Sequence, residues 1–225
     1  MAQHALLSAS SAHRWIACPP SARIAAEFPD RESEAAVAGT IAHAQAEKWF
    51  QDGVTPTDPY VLRYVAAVTC LVREMKNPTL LIEQRVDYSH IAPKGFGTAD
   101  CIIYNRDILH IIDFKYGENV LVEADYNHQL SLYALGAIRQ LKIIPKSIKM
   151  TVFQPRMDNV STWTCTMPEL QHIGRMINHG AEKAWRGEGR LEAGDHCTFC
   201  PARNFCPEFK KYFEYQYLAT FLATF

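Results

Sequence analysis

Three short groups of residues follow one another in this chain at a spacing that could do chemistry. They are Gly97-Thr98-Ala99-Asp100, then Asp113-Phe114-Lys115 closing the apolar run Ile108 to Ile112, then Gln129-Leu130-Ser131-Leu132-Tyr133. Two carboxylates carried by neighbouring strands can hold a hard divalent cation, and such a cation polarises a phosphoryl oxygen and makes a water a better nucleophile. A lysine beside the second acid can orient that water or neutralise charge growing on a phosphate. Asp100 lies on an otherwise apolar stretch, where a buried carboxylate needs a partner. His43 and Glu47 are four residues apart on one helical face, so both can point toward one cation. Gln129 and Tyr133 are also one turn apart, where an amide and a phenol can grip a phosphate or orient the lysine. Taken singly, each group is equally at home as a strand exit, a solvated pair or a core tyrosine; the order and spacing of the set point to metal-assisted phosphodiester hydrolysis.

A second constellation is made of thiols. Of seven cysteines, Cys197, Cys200 and Cys206 form a C-x2-C-x5-C group, three soft ligands in one loop. A fourth ligand is either local, His196, which suggests structural zinc, or distant, Cys18 just ahead of Pro19-Pro20. Disulfides are not expected in a cytoplasmic protein. Cys70, Cys101 and Cys165 fall inside helix or strand patterns and read as packing residues.

The elements that must position these groups follow from periodicity and punctuation. Ser10 and Ser11 can cap a short helix over 12–17 that stops at Cys18-Pro19-Pro20. Helices are expected over 33–51, ended by Asp52-Gly53, and over 60–75, opened by Asp58-Pro59. Strands are expected over 79–88, 95–104 and 107–115, with Asn105-Arg106 as the turn that brings Asp100 toward Asp113. A periodic helix over 125–140, strands over 147–154 and 159–166 and a helix over 168–186 complete an α/β pattern that fits a mixed sheet flanked by helices. Residues 1–30 form an N-terminal helical segment, 31–190 the core, and 191–225 a cysteine loop with a C-terminal helix. The terminal Leu-Ala-Thr-Phe, at 218–221 and again at 222–225, is too short to be a structural repeat.

His43-x3-Glu47, Gly97-Thr98-Ala99-Asp100, Asp113-Phe114-Lys115 and Gln129-x3-Tyr133 resemble the successive motifs of the RecB-like nucleases of the PD-(D/E)XK superfamily. The likeness runs from about His43 to Tyr133, and the cysteines extend it over most of the chain. It implies a restriction-endonuclease-like fold in which His43, Asp100, Asp113 and the Phe114 carbonyl hold Mg²⁺ or Mn²⁺. Lys115 is then catalytic, with Gln129 and Tyr133 on the substrate strand and Glu83 an outer acid. One cysteine ahead of the core and three behind it resemble the iron–sulfur branch, which includes the CRISPR-associated exonucleases and AddB-type proteins. That likeness implies a 4Fe–4S cluster on Cys18, Cys197, Cys200 and Cys206, stapling the two ends of the chain together. The implied activity is a DNA nuclease, an exonuclease acting on ends in recombination, repair or end processing, with a recombination or repair protein as partner. General resemblance alone adds a phage or prophage setting.

Composition bounds the alternatives. The chain has 225 residues, 48% hydrophobic and 21% charged, which suits one substantial core plus an accessory module. No signal-like start and no apolar run of about 18 residues is present, so a soluble cytoplasmic protein without a membrane partner is expected. Residues 1–137 carry 11 Lys/Arg against 16 Asp/Glu, and 138–225 carry 12 against 8, so the second part can supply phosphate contacts. Arg139, Lys142, Lys146 and Lys149 are candidates for a DNA path. Tyr212, Phe213, Tyr215, Tyr217, Phe221 and Phe225 form an aromatic tail expected to pack on the body or on another subunit. Two rivals to the enzyme stand: a DNA-end-binding or assembly protein that keeps fold and cluster without catalysis, and a zinc-stapled domain with no nuclease role.

Overall fold

The computed structural model describes residues 5–29 and 33–222, with the backbone alone over 217–222. Two short helices, α1 (Ala12–Ala17) and α2 (Ser21–Ala26), lead into α3 (Glu34–Asp52) and α4 (Pro59–Glu74). Strands β1 (Thr79–Asp87), β2 (Phe96–Tyr104) and β3 (Ile108–Phe114) come next, then α5 (His128–Leu141), β4 (Ser147–Gln154), β5 (Asn159–Cys165), α6 (Met167–Arg186) and α7 (Pro207–Leu222). The five strands lie in one sheet in sequence order, antiparallel except for the parallel pair β3 and β4, which α5 connects. This is the mixed sheet flanked by helices that the sequence pattern implied.

The helix ends follow from the residues at their caps. Ser33 accepts from Ala36 N at the start of α3, and Gly53 at φ 71 ends it in the left-handed region that glycine adopts without cost. The Asp58 carboxylate takes the N–H groups of Tyr60 and Val61, with Pro59 in the first turn of α4. Asn127 accepts from Leu130 N, so α5 starts at His128 and not at Asp125. Ser11 does not cap α1; its hydroxyl turns back to Ser8. Pro19-Pro20 ends α1 but also leads into α2, a helix not expected from the sequence, with Pro20 at its N-cap, where a missing N–H breaks no helical bond.

Each face of the sheet has its own apolar layer. Leu109, Ile111, Ile148, Met150 and Val152 pack with α1, α5 and α6, while Cys101, Ile103, Ile112 and Phe114 pack with α3 and α4. Leu7 and Trp15, both fully buried, belong to the first layer, so the N-terminal segment is part of the main core. Strand side chains should alternate between layers. They do from Cys101 to Ile103, yet Ala99 shares the layer of Ile102, so the alternation slips by one residue at Asp100. Opposite that slip, Glu83 interrupts the β1–β2 ladder between Ile82 and Gln84 with φ 47, a conformation that a residue with a Cβ adopts at a cost.

Candidate active site

The β2–β3 hairpin brings the two predicted aspartates together. Asn105 forms the turn, its side-chain oxygen accepting from Asp107 N and Ile108 N. Asp100 Oδ2 accepts from Phe114 N at 2.7 Å, which ties the first acid to the acid-x-lysine group. His43, on α3 between the packed Ala42 and Ala46, lies 3.6 Å from Asp100 Oδ1 through Nδ1, and its Nε2 is 3.0 Å from the Phe114 carbonyl. The Phe114 ring stacks on Tyr64 at 4.2 Å, which anchors the strand end that carries this carbonyl. Lys115 continues the β3–β4 ladder through its backbone, and its Nζ reaches Asp113 Oδ2 at 3.0 Å and Gln129 Oε1 at 3.0 Å.

Two predicted partners have different places. Glu47 is not at the site: it bonds to Gln51 one turn along α3. The acid that joins His43 and Asp100 is Glu83, whose Oε1 is 3.2 Å from His43 Nδ1, and ligand atoms of these three residues all lie within 4.8 Å of one another. Only the antiparallel register, which sets Glu83 on β1 across from Asp100, could have raised it above an outer role. Gln129 donates to Asp113 Oδ1 at 2.7 Å and accepts from Lys115, so its amide is spent on orienting both. Tyr133 is buried, its ring against Gly97, where any Cβ would sit 3.0 Å from the phenol.

The site therefore gathers three acids, an imidazole and an ammonium group in a half-buried pocket. Burial and the neighbouring Asp113 carboxylate push Asp100 up to about 7, against the opposing pull of His43 and Lys115. Burial works against the charged form of His43, but the hydrogen bond to Glu83 and the charges of Asp100, Glu83 and Asp113 outweigh it and raise it to about 9. Lys115 is likewise desolvated, and Asp113 and Asp100 more than offset this, so it stays protonated. Burial first, then the two aspartates, raise Tyr133 and keep it a neutral phenol. Crowded carboxylates facing one imidazole and one carbonyl form an oxygen-rich donor set that suits Mg²⁺ or Mn²⁺ and would be relieved by either.

Cys18, Cys197, Cys200 and Cys206 come together around one cavity of about 240 Å³. The segment after α2 and the 203–205 turn bring Phe28 and Phe205 together on its lining, ring centroids 5.5 Å apart. The Ser21 hydroxyl, on a residue lining the cavity, is buried with no hydrogen-bond partner, an orphan that a group with acceptor atoms would satisfy. Among the described residues no three of these sulfurs lie within 4.8 Å of one another, whereas a tetrahedral zinc site with bonds of about 2.3 Å sets its sulfurs about 3.8 Å apart. His196 also lines the cavity but points one ring nitrogen at the Glu192 carbonyl, 2.9 Å away. Of the other cysteines, Cys101 and Cys165 are buried as expected, whereas Cys70 lies exposed on the outer side of α4 and is not a packing residue.

The basic candidates lie elsewhere. Arg139 and Lys142 are at the far end of α5, about 15–20 Å along the helix from Gln129, and Lys146, in the loop beyond it, pairs with Asp107 at 2.8 Å. In the tail, Phe213 and Tyr215 are exposed on α7. Tyr217 and Phe221 fall where side chains are not described, and Phe225 and the second Leu-Ala-Thr-Phe copy lie in or run into residues outside the described ones. Among the described residues no helix is long and apolar enough to cross a membrane.

Fold and site together define a mixed α/β protein carrying an acid-x-lysine site on a five-stranded sheet and a four-cysteine cavity between the first two helices and the loop ahead of α7. The chain belongs to the DUF2800 family, described as a protein of unknown function, whose model matches residues 4–61 and 55–219. Among solved proteins it is similar to one known from the "Crystal structure of SSO0001". The two share 15% identity over 88% of this chain and 85% of that one, with a TM-score of 0.44.

Proposed function

We propose that this protein is a metal-dependent nuclease of the PD-(D/E)XK type that hydrolyses phosphodiester bonds in DNA, acting from ends. The observation that carries the reading is the meeting of Asp100, Asp113, Lys115 and Gln129 in one pocket with His43. His43, Asp100, Asp113 and the Phe114 carbonyl would hold Mg²⁺ or Mn²⁺, with Glu83 beside them. Bound there, the cation supplies Lewis-acid polarisation of the scissile phosphate. Lys115, kept protonated by its two acidic neighbours, places a positive charge where the pentavalent phosphorus gathers negative charge. Gln129 holds Nζ in that position, and Tyr133 backs the pocket wall.

The four-cysteine cavity is read as the seat of a 4Fe–4S cluster. Its volume, and the fact that among the described residues no three of its sulfurs lie within 4.8 Å of one another, favour a cluster over a single zinc ion. Its role is a staple that joins the end of α1 to the loop ahead of α7. Recombination, repair or end processing, with a protein of those pathways as partner, is the setting this activity suits.

Cleavage of end-labelled linear and closed-circular DNA by anaerobically purified protein tests the reading, with Mn²⁺, Mg²⁺ and EDTA compared. Metal-dependent loss of linear DNA, abolished in Lys115→Ala and Asp113→Ala, is the expected result. Equal residual cleavage in both variants would sink the assignment. DNA binding without cleavage, in a brown preparation, would leave the non-catalytic end-binding protein in its place.

A further inference from the structure

A groove of about 630 Å³ lies beside the acid-x-lysine site and has Lys115 and Gln129 in its wall. Its walls carry two aromatic rings left largely in solvent, Tyr126 and Phe199, each 68% exposed. We infer that this groove is a base-stacking channel for an unpaired strand of nucleic acid, with Tyr126 and Phe199 as its platforms. The inference rests on the nuclease reading only for what happens at Lys115.

Three independent features point to that occupant. First, both rings are held out from the fold. Tyr126 has φ 53, a region that bulky residues rarely adopt, and its ring leans on Trp163 with centroids 4.8 Å apart. Phe199 sits between Cys197 and Cys200, so the loop that the thiols define also carries a ring into the groove. Second, the groove includes the start of α5, a helix of 14 residues. The N–H groups of His128 and Gln129 have no acceptor among the described residues there, which suits a phosphate. Third, apolar Val120 and Leu121, 42% and 55% exposed, line the same walls. A paired duplex hides its base faces in its own stack and offers such walls only phosphates. A single strand offers flat apolar faces for the rings and phosphates for the helix end and Lys115, among the described residues the one Lys or Arg on walls that also carry Glu123, Asp125 and a Glu118 paired with Arg156.

The geometry also gives the cysteine loop a task beyond closing the chain. Anchored thiols on both sides of Phe199 fix a ring at the approach to Lys115, so loss of the loop would disturb substrate binding as well as stability.

The test measures binding by the whole protein carrying Lys115→Ala, in buffer with Ca²⁺, using fluorescein-labelled oligothymidylate, oligouridylate and a blunt duplex. A 2-aminopurine base placed in each single strand reports stacking by quenching. Tyr126→Ala and Phe199→Ala should each weaken single-strand binding about tenfold, within the range that stacking one base on an aromatic ring contributes. Both should lose quenching, Phe199→Tyr should retain it, and duplex binding should change less than about twofold. Loss on the deoxy strand, the ribo strand or both supports the channel and identifies its sugar. Unchanged single-strand binding, or equal loss on the duplex, overturns it. Phe199→Ala is compared at matched visible absorbance; Tyr126→Ala lies on another segment and remains decisive if the cysteine loop is disturbed. Since no cleavage is read, a failed nuclease assay and a failed stacking assay are separate results.

Discussion

The side-chain oxygen of Gln129 lies 3.0 Å from Nζ of Lys115, while the nitrogen of the same amide donates to Asp113 at 2.7 Å. One residue from the start of α5 thus fixes both members of the acid-x-lysine pair on β3. The lysine is half-buried, with a long flexible stem, and this amide together with Asp113 holds its head in place.

Replacing Gln129 should therefore cost catalysis more than binding. Gln129→Leu removes both hydrogen bonds and leaves Lys115 to Asp113 alone. A displacement of about 1 Å at a catalytic group is worth about 100-fold in rate, so kcat should fall by roughly 10- to 100-fold with KM changed by less than about threefold. Gln129→Glu keeps an acceptor for Lys115 but sets a second carboxylate against Asp113, and should recover only part of the loss. Steady-state kinetics on a labelled oligonucleotide separates the two effects. A large rise in KM at constant kcat would show that Gln129 contacts the strand instead.

Most of this arrangement was legible in the residues. The hairpin at Asn105, the Asp100–Asp113 approach and the helix carrying Gln129 all rest on local signals: turn chemistry, alternation and a 3.6-residue period. What escaped was non-local. Glu83 reaches His43 because β1 pairs with β2 in one register and because its backbone turns left-handed there, and neither fact is written in neighbouring residues. Glu47 has the right spacing from His43 but turns to Gln51. The groove with Tyr126 and Phe199 joins segments more than 70 residues apart, beyond the reach of any periodicity.

The Glu83 position gives a second prediction. Its carboxylate meets His43 Nδ1 at 3.2 Å, and partners of a metal-ligating imidazole typically affect metal affinity by 10- to 100-fold. Glu83→Gln should raise the Mn²⁺ concentration that gives half-maximal cleavage by about tenfold while leaving the rate at saturating Mn²⁺ within about threefold. Asp100→Asn should abolish cleavage at every concentration. If the two variants respond alike, Glu83 is a ligand of the same rank as Asp100; if Glu83→Gln has no effect, it belongs to the wall.

Gly136 tests the packing of α5 on the sheet. A Cβ there would lie 2.4 Å from a Val86 methyl and 2.8 Å from the Asp87 carbonyl oxygen, closer than atoms approach. The backbone of β1 cannot yield as a flexible side chain could, so Gly136→Ala should destabilise the fold by about 1–3 kcal/mol. For a domain of this size that lowers the thermal midpoint by about 2–10 °C. A midpoint equal to that of the unaltered protein would mean that helix and strand separate more easily than their contact implies.

His110 supplies a pH dependence that is separate from the acid-x-lysine site. It is 5% exposed on β3, its Nε2 2.8 Å from the Thr151 hydroxyl. Burial, reinforced by Lys149, lowers it from 6.5 to about 4 in the folded chain. Between those values the unfolded chain binds a proton that the folded chain refuses, so stability falls as pH drops from about 6.5 toward 4 and is flat for this group outside that window. The full loss is on the order of 3 kcal/mol, with a slope approaching 1.4 kcal/mol per pH unit. Burial lowers His13, His90 and His128 as well, which adds to this acid slope, while His43 and Asp100, both raised, act in the opposite sense, so the His110 contribution is read as the difference between variant and parent. His110→Gln removes one titrating group from that slope, and Thr151 keeps its bond to Thr162 at 2.8 Å. Urea unfolding at pH 7 and pH 5 should therefore show less acid destabilisation in the variant, by about 2 kcal/mol. An unchanged difference would mean that the His110 ring accepts its proton without leaving the fold.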